Sequence, residues 1–332
     1  MQNSFTKALK GEDHDTVPVW FMRQAGRYLP GYSRIRKGMK FKDMISQPEA
    51  VMEITYEPVK TLGVDAAIIF SDILLPLEAM GFEVEFGEGN GPSIINNYSR
   101  GHFEGVHEFD EKSYAYPTAS VISKLRERYN VPIIGFSGGP LTLLSYILMD
   151  HPDRDMLVTK EFMIDHAVEF RDIMKLLSAM VIDYCMMQIK AGADAIQIFD
   201  SWSGFLSPYE FKKFDDPYLS DIASEIKEYA PLIYFSTQSS AFIEEMEAPF
   251  DFISLDWRIR LSRITNHEEN RFGIQGNLDP AVINTSRYLE ETREVIKDAS
   301  KFDRYVFNTG HGILPQTDPK RLRDIVDYVH GI

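Results

Sequence analysis

The chain has 332 residues, enough for one large domain or two medium ones, and its 44% hydrophobic, 12% aromatic and 26% charged content excludes a disordered chain. A formal net charge of -15 argues against non-specific capture of nucleic acid or of an anionic membrane surface, because the long-range field repels phosphate. Any anionic ligand must then be held by a local cationic site. One cysteine, Cys185, supplies neither a disulfide framework nor a thiolate cluster for zinc or iron–sulfur, and it fits a reducing cytoplasm.

The start, MQNSFTKALKGEDHD, lacks an apolar signal core, and no run approaches the roughly eighteen apolar residues of a membrane span, so a cytoplasmic protein is expected. From there, short runs rich in branched and aromatic residues recur along the chain. They are VPVWF (17–21), AAIIF (66–70), PIIGF (132–136), AIQIF (195–199), LIYFS (232–236), FISLD (252–256), FGIQG (272–276) and RYVFN (304–308). Apolar runs without strict alternation suit strands buried on both faces, as in a parallel sheet covered by helices.

Helical periodicity fills the gaps. Residues 174–192 read as a helix ending on Lys190 and Gly192, and 285–301 as a helix opening on a Thr285 N-cap with Glu290 and Glu291 ahead of Lys297. Two glycine-rich stretches imitate phosphate loops. GFSGGPLTLLSY (135–146) has no Gly-Lys-Ser/Thr after it and so is not a P-loop, and GEGNG (87–91) runs into Pro92 and reads as a hairpin or loop. With no linker or break in composition, eight strands alternating with helices predict one α/β domain over 1–332, a (β/α)8 TIM barrel.

A barrel carries its active site where the strands end, so the residues after each run matter most. Arg23 and Arg27 flank Gln24, Ala25 and Gly26 after the first run; planar guanidinium forks grip carboxylates, although either could instead pair with a structural carboxylate. Asp72 follows the second run, either to accept hydrogen bonds from a ligand and stabilise a developing cation or to cap the next helix. His311 lies between two glycines after the last run, as a ligand contact or a loop imidazole. The rim contains no lysine, against Schiff-base chemistry, and the eight histidines form no HExxH, HxH or Cys-His spacing, against a metal site.

Six segments together resemble the uroporphyrinogen decarboxylase family: PVWFMRQAGRYLP (18–30), DAAIIFSDILLPLEAMGFEVEF (65–86), GFSGGPLTLLSY (135–146), GADAIQIFDSWSG (192–204), GNLDP (276–280) and FNTGHGILP (307–315). They keep the family's order and cover essentially the whole chain. The resemblance implies a homodimeric, cofactor-free barrel that removes the four acetate carboxyls of uroporphyrinogen III to give coproporphyrinogen III. It assigns Arg23, Gln24, Ala25, Gly26 and Arg27 to the loop holding substrate carboxylates, and Asp72 to the pyrrole N–H groups and the protonated intermediate. Tyr146, Ser201 and His311 match the remaining substrate contacts. The proton donor stays open among water, His311 and the arginines.

Three departures are present: Gly31 where the family usually has Glu, Leu141 where an aromatic follows Gly-x-Pro, and Met149-Asp150 in place of a Glu/Ala-Gly pair. They are expected to reshape the cleft wall. A zinc-dependent corrinoid methyltransferase of the same superfamily is disfavoured by the single cysteine. A non-catalytic tetrapyrrole-binding protein would have no need of Asp72, and a phosphosugar enzyme should show a stronger glycine-rich anion site than residues 310–312.

Overall fold

The computed structural model describes residues 3–87, 91–98, 105–149, 153, 155–264 and 271–331. Its strands, in chain order, are β1 (Ala67–Ile68), β2 (Val84–Gly87), β3 (Gly91–Ile94), β4 (Ile133–Gly138), β5 (Ala195–Phe199), β6 (Leu232–Phe235), β7 (Phe252–Ser254), β8 (Gly273–Leu278) and β9 (Tyr305–Thr309). Seven of them form one parallel sheet in the order β1-β4-β5-β6-β7-β8-β9, each paired to the next member in sequence. The register runs Ile134 to Ala195, Ile196 to Leu232, Phe252 to Gly273 and Ile274 to Tyr305. Every residue of β4, β6, β7, β8 and β9 is buried, which is why these segments read as unbroken apolar runs.

The eighth staff of the barrel is shorter than the first apolar run suggests. Within 17–21 only Val19 makes a parallel bridge, to Phe307. Trp20 N–H donates to Phe307 O at 3.3 Å and Phe307 N–H to Pro18 O at 2.9 Å, while on the other side Asp65 N–H reaches Val19 O at 2.8 Å. Pro18 has no N–H for the ladder, and the N–H of Val19 goes to the Asp65 carboxylate at 2.7 Å instead. Residues 18–20 therefore join β9 to the β1 segment and close the curled sheet. Inside, Trp20 Nε1 donates to Gln275 Oε1 at 2.8 Å, and Gln275 Nε2 donates to Gln197 Oε1 at 3.1 Å and Ser254 Oγ at 2.9 Å. This buried polar layer, linked between strands, fixes their relative rotation as an all-aliphatic filling would not.

Helices cover the outside. The longest, Ala167–Lys190, links β4 to β5 and ends at Ala191, after which Gly192 takes φ +109°, a conformation glycine adopts freely. The expected helix at 285–301 begins later, at Tyr288, and ends at Ala299. Thr285 does not cap it: its hydroxyl donates to Val282 O at 2.8 Å and accepts from Arg287 N–H at 3.2 Å, closing a turn. β2 and β3 pair antiparallel with Gly87 opposite Gly91, as the hairpin reading of 87–91 requires; residues 88–90 and Asp150 lie outside the described residues. Among the described residues, no helix is long and apolar enough to cross a membrane.

The last helix, Pro319–His330, is tied to the closure. His330 Nε2 lies 2.8 Å from Asp65 Oδ2, the atom that also accepts Val19 N–H, and this hydrogen bond raises the histidine above its usual 6.5. A raised pKa means that the folded state favours the charged ring. The stabilisation is complete below the ordinary histidine value and is lost as pH rises through the raised one. We expect His330→Ala to lose about 1 kcal/mol at pH 5.5, the order of a charge-assisted hydrogen bond at a half-buried position, with the deficit shrinking by pH 9. Thermal unfolding of both proteins at the two pH values measures it.

Candidate active site

The loop after the closing segment is held on every side. Met22 N–H donates to Asn308 Oδ1 at 3.0 Å and Met22 O accepts from Ile313 N–H at 2.8 Å. Gln24 is wholly buried: its Oε1 accepts Phe21 N–H at 3.1 Å and its Nε2 donates to Ala66 O at 3.0 Å. Its side chain is thus spent on shaping the loop. Ala25 and Gly26 are half-buried, and Arg23 and Arg27 are exposed. Arg23 takes φ +60°, a left-handed conformation that costs a non-glycine residue on the order of 1 kcal/mol, and the surrounding bonds hold it there.

Arg23 lies at the meeting point of three strand ends. A Cβ added to Gly312 would come within 2.3 Å of Arg23 Cδ, so the arginine stem rests in the space that this glycine leaves. Its charge acts on Asp72, Tyr146 and His311 alike. The structure therefore brings together four residues from widely separated parts of the sequence.

Asp72 is half-buried, and its Oδ1 accepts Leu74 N–H at 2.9 Å. The carboxylate thus shapes the turn before the Leu75–Glu78 helix while also lining the cleft. Burial raises its pKa above 3.8; the Leu74 N–H and the Arg23 charge oppose that rise. The Tyr146 phenol is also raised, first by burial and then by the Asp72 charge, with the Trp202 side chain and Arg23 acting in the other direction. Ser201 stands on the β5 side, half-buried, with its carbonyl accepting the Thr237 hydroxyl at 2.7 Å.

His311 is pushed down to about 4 by burial and by the charges of Arg23 and Arg258, with Asp256 acting in the other direction. Its Nδ1 faces Gly312 N–H at 2.6 Å, and since the amide must donate, the ring proton sits on Nε2. At neutral pH the ring is a neutral hydrogen-bond donor and holds no second proton to give.

Asp72 and Arg27 share a cleft of about 820 Å³ with Arg36, Lys40, Phe41 and Phe86. Arg36 and Lys40 were not singled out from sequence, although SRIRKGMK, residues 33–40, is a conspicuously cationic stretch in an acidic chain. On the His311 side Arg258 pairs with the buried Asp256 and lies 4.2 Å from the Trp257 ring centroid. An overall acidic protein thus sets arginines and a lysine around one carboxylate. Such a cleft suits a ligand with several carboxylates at its edge and hydrogen-bond donors or positive charge at its centre.

Among the described residues, the departures Gly31, Leu141 and Met149 sit behind this surface. Gly31 leaves room for Glu57, whose carboxylate accepts the N–H groups of Gly31 at 2.5 Å and Tyr32 at 2.9 Å at the start of the Pro30–Arg36 helix. Leu141 is fully buried in the core, and Met149 packs against that core. Cys185 is buried within the Ala167–Lys190 helix, where burial raises its thiol pKa. Among the described residues, no three His, Cys, Asp or Glu side chains gather as a metal-binding group.

Comparison with known proteins agrees with these features. The model of the family described as uroporphyrinogen decarboxylase matches residues 1–332. The chain is 49% identical to the uroporphyrinogen decarboxylase of Thermoplasma acidophilum over 99% of this chain and 98% of that one. It is 43% identical to that of Picrophilus torridus, over 99% of each. Among solved structures, a methyltransferase from Methanosarcina mazei superposes with a TM-score of 0.82 at 21% identity, covering 98% of this chain and 97% of its own. A B12-independent methionine synthase from a Shewanella species gives 0.58 at 12%, covering 95% and 94%. At such identities these two establish the fold alone, whereas the full-length relatives carry more. The chain belongs to the uroporphyrinogen decarboxylase family, and is a carboxy-lyase.

Proposed function

We propose that the whole chain, as one barrel domain, removes the four acetate carboxyls of uroporphyrinogen III in succession to give coproporphyrinogen III, with no cofactor. The observation that carries this reading is the half-buried Asp72 carboxylate, set among Arg23, Tyr146 and His311 at a cleft walled by Arg27, Arg36 and Lys40. The ligand edge carries eight carboxylates, which the cations match. Its centre carries four pyrrole N–H donors, which a carboxylate accepts.

The chemistry follows from that placement. A proton adds to the pyrrole α-carbon next to the carbon that bears the acetate, and the ring becomes an iminium conjugated with the acetate-bearing carbon. The bond between the methylene and the carboxylate then breaks, its electron pair flows into the iminium, and CO2 leaves. A proton taken up by the resulting exocyclic methylene gives the methyl group, and loss of the added ring proton restores the pyrrole. Asp72 stabilises the cation electrostatically, where exclusion of water strengthens the interaction. Arg23 and Arg27 orient acetate carboxylates, Gln24 shapes their loop, and Ala25 and Gly26 carry its backbone past the ligand. Tyr146, Ser201 and His311 complete the contacts, with His311 donating from Nε2 rather than supplying the ring proton.

We further infer a homodimer in the cytoplasm. Leu157, Ile164, Phe205 and Tyr209 are exposed on neighbouring elements linked by the Lys160–Glu210 ion pair at 2.9 Å, and a partner would cover them. Sedimentation showing only monomer would withdraw the dimer.

Anaerobic incubation with uroporphyrinogen III, followed by chromatography of the oxidised products, should show seven-, six-, five- and four-carboxyl species in turn. Asp72→Asn should keep the wild-type circular dichroism and lose roughly 100-fold or more in kcat, the scale for removing one preorganised electrostatic group. Because Asp72 is raised, the acid limb of the wild-type profile should lie above 3.8, and D72N should lack it. A folded D72N with near wild-type turnover refutes the electrostatic role.

Two variants separate grip from geometry. Arg36→Ala should raise KM by about tenfold with kcat little changed, as expected for a group that binds ground and transition states alike. Gly312→Ala drives a methyl group into Arg23, and should lower kcat/KM by about tenfold or more, with most of the loss in kcat, because Arg23 also faces the reacting centre. Steady-state kinetics of the two proteins make the comparison.

A further inference from the structure

Behind the cleft, at the end of β5, two aspartates meet with no cation between them. Asp200 and Asp215 are both fully buried. Asp200 Oδ1 accepts Thr142 N–H at 2.9 Å, and Asp215 Oδ2 accepts the Ser203 hydroxyl at 2.5 Å. Their remaining oxygens, Asp200 Oδ2 and Asp215 Oδ1, are buried without a hydrogen-bond partner, and the two carboxyls act directly on each other. Two neighbouring carboxyls buried in this way cannot both stay ionised, so the pair holds one proton, which those unsatisfied oxygens can share.

The surroundings keep that proton in place. The groups acting on the pair are the phenol of Tyr234 on β6, itself buried without a partner, the Ser203 hydroxyl, and Asp216 at the start of the Asp216–Ile226 helix. Tyr218 of that helix also senses Asp215. None of these carries a positive charge that would favour a second carboxylate.

A chain of contacts runs from this pair to the reaction centre. Gly139 makes space for Asp200, since a Cβ there would lie 2.2 Å from Asp200 Cγ. Thr142 Oγ1 accepts Trp202 N–H at 3.1 Å, and the Trp202 side chain acts on the Tyr146 phenol, which also senses Asp72. Thr142 and Tyr146 share the Pro140–Leu148 helix. We propose that Asp215 is a positioning residue: the proton it shares with Asp200 lets Asp200 anchor Thr142 without a second buried charge, and so sets Trp202 and Tyr146 against Asp72. This inference rests on the decarboxylase reading above. It adds to it a layer of residues that never touch the ligand.

Asparagine at position 215 would donate the same hydrogen bond without a titrating proton, whereas alanine would leave Asp200 as an unpaired buried carboxylate. With the intact chain, Asp215→Asn should keep kcat within about threefold of wild type. Asp215→Ala should lower kcat by about tenfold or more with KM within about threefold, since the carboxylate grip lies on the arginine side of the cleft. Tryptophan emission should shift in D215A, and the shift should vanish in a Trp202→Phe background.

Should D215A fail to fold, Thr142→Val keeps the N–H to Asp200 but removes the acceptor of Trp202 N–H, and should reproduce both the kcat loss and the emission shift. The proposal is overturned if D215N is as impaired as D215A, if D215A or T142V has wild-type kcat and emission, or if KM rises alone. A wild-type protein that forms no products refutes the decarboxylase reading instead. The emission comparison still reads the Asp215-to-Trp202 link in that case.

Discussion

The position of Val19 between Asp65 and Phe307 decides what the rest of the site contains. One carboxylate oxygen of Asp65 takes both the Val19 N–H and His330, while backbone bonds join Val19 to Asp65 and Trp20 to Phe307. The closing segment thereby lies next to the segment leading to Asp72 and next to the strand leading to His311. Arg23, Asp72 and His311 come from the tops of three adjacent staves, and their convergence follows from the order in which the barrel closes. Without that closure, the arginine loop would hang from a free edge.

The same packing assigns different electrostatic states to neighbouring groups. Asp72 and His311 are both pushed by burial toward their neutral forms, and Arg23 pushes each toward its deprotonated form. For the carboxyl these effects oppose each other; for the imidazole they add. One guanidinium therefore favours an anion at Asp72 and a neutral donor at His311. On the proposed reading, a ligand would meet a charged acceptor on one side and an uncharged donor on the other, within a wall of cations. The chain's large negative charge makes that wall a local feature, able to select a polyanion while the surface as a whole repels one.

What was legible in the sequence was what depends on local composition. Buried parallel strands carry unbroken apolar runs, so β4 to β9 could be placed within a residue or two at most ends. The first run misled because Pro18 and the Asp65 side chain remove its ladder hydrogen bonds, and only the second of these is non-local. Thr285 looked like a cap because its hydroxyl can bond either to the next turn or to the preceding one, and here it does both outside the helix. Arg23, Asp72 and His311 stood out because each follows a strand. Arg36 and Lys40 follow no strand, and the fold of 30–41 brings them to the cleft. The pairing of Asp200 with Asp215 had no sequence signal, since two aspartates fifteen positions apart are ordinary until packing removes their water.

The departures from the family pattern bear on why such a site tolerates change. Where the resemblance leads one to expect a glutamate, this chain has Gly31, and Glu57 sends its carboxylate from the Pro48–Leu62 helix to the same helix start. The N-terminus of the helix carrying Arg36 still receives a negative charge, which its unpaired N–H groups favour. Leu141 fills core volume rather than facing the ligand, so replacing an aromatic there is a matter of packing. Both changes act one layer behind the residues proposed to touch substrate. A carboxylate can be supplied from another element, and volume can be redistributed, as long as Arg23, Asp72 and His311 keep their places at the closure. That closure is held largely by backbone bonds, which side-chain substitution elsewhere leaves intact.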